Sequence, residues 1–600
     1  MNSTFERPAC QKRVYLSIAI LIAIWAVTQL SGIWSPPLLD DVDSIHTEAA
    51  REMVTRGDYV TLYCDGIRYL DKPPLPYWLA AGSMRLFGQY DWASRIPLAL
   101  SVLALILYLY GFAKRLYGER AGFYSALVFA TSIGPFLFTR FFIPDVMVAL
   151  WMTISADLIL RMVESVEKDG RAKLWQAVCF GLVITAAMLT KGLIGIVFPF
   201  GLLLLYLLLI KKPGHLWKMR PCSGALAWIV TALPWHWLAA VQNPASGQAK
   251  GWFWFYFIND QINRYLDKRI PRDYDKVPLF VFWALLVVWL LPWGVYLVGA
   301  LWRWWKRRSE SWSAPERLFL LWALLILGFF SFSTRQEYYT LPAVPALALL
   351  VGIFLAHEEE EGQHLFGRIA SWILLGIGVS AATLCTVLAC ISRTPAPGTE
   401  LYTVLTSNPS QYALSFGHFL DLTGESMGFF RVPLAGTAIG LFLGTGLLWW
   451  LRRRGKIFAG NLALGVAMCL VLVCAQQGLR VFYPILGSQA MAVQINSRLQ
   501  SGDKIVIDGE YADGSTINFY TRQPIYMLNG WRNNLWYGSL FADVPHRFED
   551  DASFLRLWNG EQRIFLVTPH KERVEELQRT GRFHLLSESS GRYLLSNNAD

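Results

Sequence analysis

LLDDVDSIHTEAAREMVTRGDYVTLYCDGIRYLDKPPLPYWL (residues 38–79) follows directly on the first hydrophobic run and leads straight back into apolar sequence. Asp40, Asp41 and Asp43 open it, and Asp71-Lys72-Pro73-Pro74 closes it. A carboxylate beside hydrocarbon is costly unless it is solvated, paired or used. Three of them could supply a general base for an acceptor hydroxyl, or could be solvated loop residues and a helix N-cap. Ile45, Ala49, Met53 and Val54 recur at helical spacing opposite Glu48, Arg51, Glu52 and Arg56, which predicts an amphipathic helix lying in the membrane interface. The two prolines at 73–74 stiffen the return to the membrane and deny the backbone a helix there.

Outward from this segment, apolar runs of bilayer length recur along the chain. Of 600 residues 54% are hydrophobic and only 16% charged, with 26 Trp, and the mean hydropathy is +0.34. A soluble protein carries about a quarter charged residues, so the chain reads as a polytopic α-helical membrane protein. About thirteen spans are expected, near 14–34, 92–113, 121–139, 143–162, 174–190, 192–210, 223–241, 277–302, 316–334, 339–356, 369–391, 430–451 and 458–479. The first run lacks a small-residue cleavage site and reads as an uncleaved span. With the N-terminus inside, the basic stretches KKPGHLWKMR (211–220), RWWKRR (303–308) and RRRGK (452–456) all fall on the cytoplasmic side. That distribution accounts for the net charge of +10 without any nucleic acid. From about residue 480 the pattern changes to short strand-like segments, KIVIDG, PIYML, RIFLVT and FHLLSES, with helical patterns among them. Residues 1–479 are therefore read as the membrane domain, with 35–91 as its first outward loop, and 480–600 as a soluble α/β domain on the outer face.

The polar residues of the outward face are the candidates for chemistry. Asp145, with Arg140 close by, sits in FTRFFIPD at a helix start, where it is either a first-turn residue or part of a polar site. Lys191 lies between two apolar runs, where an isolated ammonium is expensive. Arg335, Tyr338 and Tyr339 precede a proline-punctuated span. Fixed cations of this kind are what a phosphate leaving group requires, and Lys72 could equally hold a lipid phosphate or form a surface ion pair with Asp71. The aromatic run Trp252–Phe257 suits an interfacial belt or a channel for an isoprenoid tail, bordered by Asp260, Arg264 and Arg269. His46 and His236 are isolated and have no second ligand at metal-binding spacing. No Gly-rich phosphate loop leads from a strand to a helix.

AAREMVTRGDYVT (49–61), GIRYLDKPPLPYWL (66–79), TRFFIPD (139–145), LTKG (189–192) and YYTLPAVPALALL (338–350) resemble, in order and spacing, the GT-C glycosyltransferases of the ArnT/protein-mannosyltransferase-like family. The resemblance is strongest to the aminoarabinose-transferase branch. It implies an inverting transferase of the bacterial inner membrane. Such an enzyme takes a sugar from a polyprenyl-phosphate carrier at the periplasmic face and passes it to an envelope acceptor such as lipid A. Asp41 is then the best candidate for the essential acid, in competition with Asp40 and Asp43, with Asp145 second. Lys72, Arg335, Tyr339, Lys191 and Arg264 would serve the carrier phosphate, supported by Asp71, Arg140 and Tyr338. Three departures stand out. DDVDSIHTE differs in spacing from the family's acidic motif, Asp71 replaces a Glu, and Gln261 stands where the family has a His that helps ligate a metal. The first leaves Asp40, Asp41 and Asp43 competing for one role, and the other two leave only weak support for a divalent cation, the one cofactor the resemblance raises. A protein O-mannosyltransferase would share the acidic loop. A lipid or sugar transporter would instead need paired broken helices and charges near mid-bilayer.

Overall fold

A computed structural model of the chain describes residues 6–272, 276–307, 314–362, 364–396, 399–405, 422–531 and 535–598. All thirteen apolar runs are helical. Among the described residues nine are single helices long and apolar enough to cross a bilayer, from Gln11–Gly32 to Ile457–Leu486. The run read as one span over 277–302 is a pair, Leu279–Trp289 and Trp293–Arg307, bent by 98°. Pro292 stands at the break, where a proline removes a helix hydrogen bond and clashes with the preceding turn. Counting that pair as one gives ten. The other three runs form the helices Glu119–Thr131, Ile194–Leu209 and Ala314–Ser331. Hydropathy measures apolar length and not helix continuity, so of thirteen apolar runs nine or ten are, among the described residues, single or bent helices long and apolar enough to cross a bilayer.

The last of the long apolar helices runs on to Leu486, and the sheet follows it. Numbering from the first-loop hairpin β1 (Tyr63–Cys64) and β2 (Ile67–Arg68), the large sheet has β3 (Lys504–Asp508), β4 (Ile525–Leu528), β5 (Phe548–Glu549), β6 (Ile564–Thr568), β7 (His584–Ser589) and β8 (Arg592–Ser596). Their order is β5-β4-β3-β6-β8-β7. The first four are parallel, β8 runs antiparallel to β6, and β7 runs antiparallel to β8. The central parallel strands are continuous apolar runs, as strands covered on both faces must be.

This sheet and the first loop share one hydrophobic core. Ile505, Ile507, Ile525 and Met527 pack in one cluster with Ile45, Ala49, Met53, Tyr69 and Tyr77. The helix Val42–Arg56 is therefore not an interfacial helix with a wet face. Its acidic side is covered too, Glu48 being 0% and Glu52 6% exposed. Each carboxylate pairs with an arginine one turn away, Glu48 with Arg51 and Glu52 with Arg56 at 2.6 Å. The turn of the small hairpin plugs in beside it. Asp65 Oδ1 accepts from the backbone N–H of Ile525 at 3.0 Å. An amphipathic pattern shows that one face is apolar but not what covers the other.

Candidate active site

Five chain segments converge on a cavity of about 150 Å³ at the end of the bundle facing the sheet domain. The first loop brings His46, Asp71, Lys72 and Pro73, and the start of helix Asp145–Asp169 brings Asp145. The end of helix Leu174–Lys191 brings Lys191, the aromatic loop brings Asp260, Gln261 and Arg264, and Tyr338 and Tyr339 complete the wall. Local sequence explains several of these placements. Residues Trp254–Asn263 wind as a π-helix, a form concentrated at functional sites. In LTKG the glycine is required. Gly192 has φ +76°, and a Cβ there would meet Gln261 Oε1 at 2.7 Å. That amide oxygen accepts from the backbone N–H of Leu193 at 3.1 Å, locking the turn to the aromatic loop.

The charges of the cavity are paired in a chain. Lys72 Nζ donates to Asp71 Oδ2 at 2.5 Å, and Arg269 reaches the same oxygen at 3.4 Å. Arg269 Nε donates to Asp260 Oδ1 at 2.9 Å, with Arg264 on that oxygen at 3.4 Å. Across the cavity Lys191 Nζ donates to Asp145 Oδ1 at 2.5 Å and lies 5.1 Å and 4.7 Å from the rings of Tyr338 and Tyr339. Three cations, Lys72, Lys191 and Arg264, thus line the cavity beside three carboxylates, Asp71, Asp145 and Asp260. An incoming anion meets ammonium groups that can turn toward it.

The three acids of the opening segment separate by position. Asp40 accepts from the backbone N–H and hydroxyl of Thr516 at 2.9 and 2.7 Å, from Ser488 Oγ at 2.6 Å and from Arg592 at 2.8 Å, so it fastens the sheet domain to the loop. Asp43 is 2% exposed and pairs with Arg95 at 2.8 Å while accepting the backbone N–H of Phe142 at 2.9 Å. Asp41 lies next to the lining residue Val42, within electrostatic reach of Tyr69 and Tyr338. Its backbone is at φ 66°, ψ −128°, held by an N–H···Oγ bond to Ser515 at 2.9 Å. A non-glycine residue in that region carries strain of about 1–3 kcal/mol, of the kind that clusters at functional sites.

Besides Asp40 and Asp43, two more of the expected site residues lie elsewhere. Arg335 is not among the residues lining the cavity. Its guanidinium donates to the carbonyls of Val277 at 2.8 Å, Ser331 at 2.9 Å and Ser333 at 3.3 Å, and so ties off a chain reversal. Arg140 is buried against Gln29 and the carbonyls of Thr28 and Phe136. Among the described residues no three His, Cys, Asp or Glu side chains converge on a metal position. Asp71 Oδ2 is taken up by Lys72 and Arg269, and the Gln261 amide by Leu193 and Asp260. This donor set does not fit a divalent cation.

His46 lines the cavity although nothing in its sequence neighbourhood marks it. Its Nδ1 bonds the carbonyl of Phe142 at 2.8 Å, inside a cage of Tyr69, Tyr77 and Phe142. Burial first, and then the nearby Lys72, lower its pKa from 6.5 to about 4. In the unfolded chain the imidazole takes up a proton through pH 6.5, and in the folded chain it does not until about pH 4. Stability should therefore fall as pH drops through that window, by about 3 kcal/mol in all at ~1.4 kcal/mol per pH unit. Thermal unfolding from pH 7 to pH 4 is expected to show this slope, and His46→Phe should flatten it.

The sequence profile described as dolichyl-phosphate-mannose-protein mannosyltransferase matches residues 71–237. A protein of Proteus mirabilis named undecaprenyl phosphate-alpha-4-amino-4-deoxy-L-arabinose arabinosyl transferase 2 is 26% identical over 584 residues, 95% of this chain and 97% of its own length. The chain is similar to this transferase along nearly its whole length. The transferase of the same name from Pectobacterium atrosepticum is 29% identical over 381 residues, 61% of this chain. That match spans 64% of the Pectobacterium protein, and several similar relatives are likewise matched over just under two thirds of their length. The crystal structure of ArnT from Cupriavidus metallidurans bound to undecaprenyl phosphate superposes with a TM-score of 0.78 at 23% identity, covering 98% of both chains. The apo form of that protein gives 0.77. The ArnT-like architecture, a GT-C membrane bundle carrying a C-terminal sheet domain, is thus shared along the whole chain.

Proposed function

We propose that this ArnT-like protein is an inverting glycosyltransferase of the bacterial inner membrane. It moves a sugar from a polyprenyl-phosphate carrier to an envelope acceptor such as lipid A at the periplasmic face. The observation that carries this reading is the cavity itself. Asp41 lies beside it, and Lys72, Lys191 and Arg264 line it together with Asp145. Relatives named for undecaprenyl-phosphate-linked aminoarabinose transfer support it. An acceptor oxygen attacks the anomeric carbon as the bond from that carbon to the carrier phosphate oxygen breaks. Asp41 orients the acceptor and, where that acceptor is a hydroxyl, takes its proton. The electron pair leaves on the carrier phosphate, whose charge the three cations balance with little rearrangement. The apolar cavity of about 390 Å³ lined by Met188, Trp228, His236, Trp252 and Phe257 adjoins the same aromatic loop and suits the polyprenyl tail.

The test is mass spectrometry of lipid A and other envelope glycolipids from cells lacking this protein, with and without the native chain restored. A sugar-sized increment present only with the native chain is expected. An unchanged lipid profile would overturn lipid A as the acceptor and turn the search to protein. The protein-mannosyltransferase profile over residues 71–237 favours that second reading.

A further inference from the structure

The polar cavity contains two hydrogen-bond acceptors that the proposed chemistry leaves unused. With Nδ1–H donated to the Phe142 carbonyl, the neutral His46 ring carries its lone pair on Nε2. Nε2 has no protein partner among the described residues, and the imidazole is a lining residue. Asp71 is 2% exposed, and its Oδ1 has no hydrogen-bond partner, whereas Oδ2 serves Lys72 and Arg269. A buried carboxylate oxygen left unsatisfied costs about 1–3 kcal/mol or more, a cost that a ligand donor would remove.

Lys72 fixes what that ligand is. In the transferase reading Lys72 holds the carrier phosphate, and it is bonded to the same carboxylate whose other oxygen is unpaired. The group covalently attached to that phosphate is the sugar, so the sugar ring is what reaches the neighbouring wall. We infer that His46 Nε2 and Asp71 Oδ1 form the acceptor side of a subsite that takes a hydrogen-bond-donating substituent, an amino or hydroxyl group, of the transferred sugar. This inference rests on the transferase reading. The pair offers acceptors and no donor, and one of the two is anionic. It therefore favours a substituent with several N–H or O–H hydrogens and rejects a sugar with hydrogen or an acceptor there. The aromatic cage holds the imidazole plane, with Tyr77 and Phe142 each 5.6 Å away and edge-on, so the acceptor is oriented before the sugar arrives.

The experiment compares the native full-length chain with His46→Asn and His46→Gln. Asparagine keeps a donor for the Phe142 carbonyl but withdraws the acceptor from the cavity, whereas glutamine reaches the Nε2 position. The donors are undecaprenyl phosphate-linked 4-amino-4-deoxy-L-arabinose, the L-arabinose counterpart and the 4-deoxy analogue lacking both groups. Lipid A is the acceptor, kcat and KM are read separately, and a thermal shift with undecaprenyl phosphate alone serves as the folding and carrier-binding control. The native chain should prefer the amino or hydroxyl donor over the 4-deoxy analogue by about 10–100-fold. His46→Asn should lose that preference while still binding undecaprenyl phosphate, and His46→Gln should retain it within a few-fold. Equal losses on all donors, or none, would overturn the subsite. If the native chain transferred from no donor to lipid A while binding undecaprenyl phosphate, the transfer to lipid A on which the subsite rests would fall, and the subsite with it.

Discussion

Asp41→Asn is expected to lower sugar transfer by about 10²–10⁴-fold, the range over which a positioned general base contributes, and to leave the protein folded. Asparagine suits this test because it tolerates positive φ nearly as well as aspartate does, so the φ of 66° at this position adds no new strain. The backbone bond from residue 41 to Ser515 Oγ also survives, because it uses the main-chain N–H. Asp41→Gly sharpens the case. Glycine relieves the backbone and removes the carboxylate, so that variant should be at least as stable as the native chain and just as inactive. Lipid A mass spectra from cells carrying each variant, with thermal unfolding of the purified proteins, give the two readouts. Full transfer by Asp41→Asn would move the role to another acid, and Asp145 would be examined next.

The second large effect is on stability. Arg95→Met should cost about 3–5 kcal/mol, the usual result of leaving one charge of a buried pair behind. Asp43 would keep the backbone N–H groups of Phe142 and Leu39 but lose its counter-ion. The carbonyls of Ile33, Pro36 and Pro37 would lose the donors that now fix the descent from the first helix. Phe142 lies in the turn that sets Ile143, Pro144 and Asp145 into the cavity wall, so the site should loosen together with the fold. Thermal unfolding in detergent measures the loss. A stability within about 1 kcal/mol of native would mean that the pair is as dispensable as a surface ion pair.

These two residues show what the sequence could reveal. Length and hydropathy are local properties, so each apolar run could be located, and the expense of Lys191, Asp145 or Asp71-Lys72 beside hydrocarbon could be read from position alone. Position does not reveal the partner. Arg335 ends an apolar run much as Lys191 does, yet its guanidinium is taken up by carbonyls of its own chain reversal, which no spacing rule anticipates. Asp40, Asp41 and Asp43 look interchangeable in DDVD. What separates them is Arg592, Thr516 and Ser488 on one side and Arg95 on the other, all distant in sequence. His46 carried no local mark because its site is assembled by the hairpin and by Phe142.

The bond between Asp40 and Arg592 joins residues 552 positions apart. At the usual ~5–20 residues per second of synthesis, roughly 30–110 s pass between the emergence of one partner and of the other. Throughout that interval the bundle is being threaded into lipid while the loop that walls the cavity lacks half of its core. A chain stopped anywhere before the last strands therefore carries the acids and cations of the cavity without the scaffold that holds them in place. The order of manufacture itself keeps the cavity from being fixed until the chain is complete.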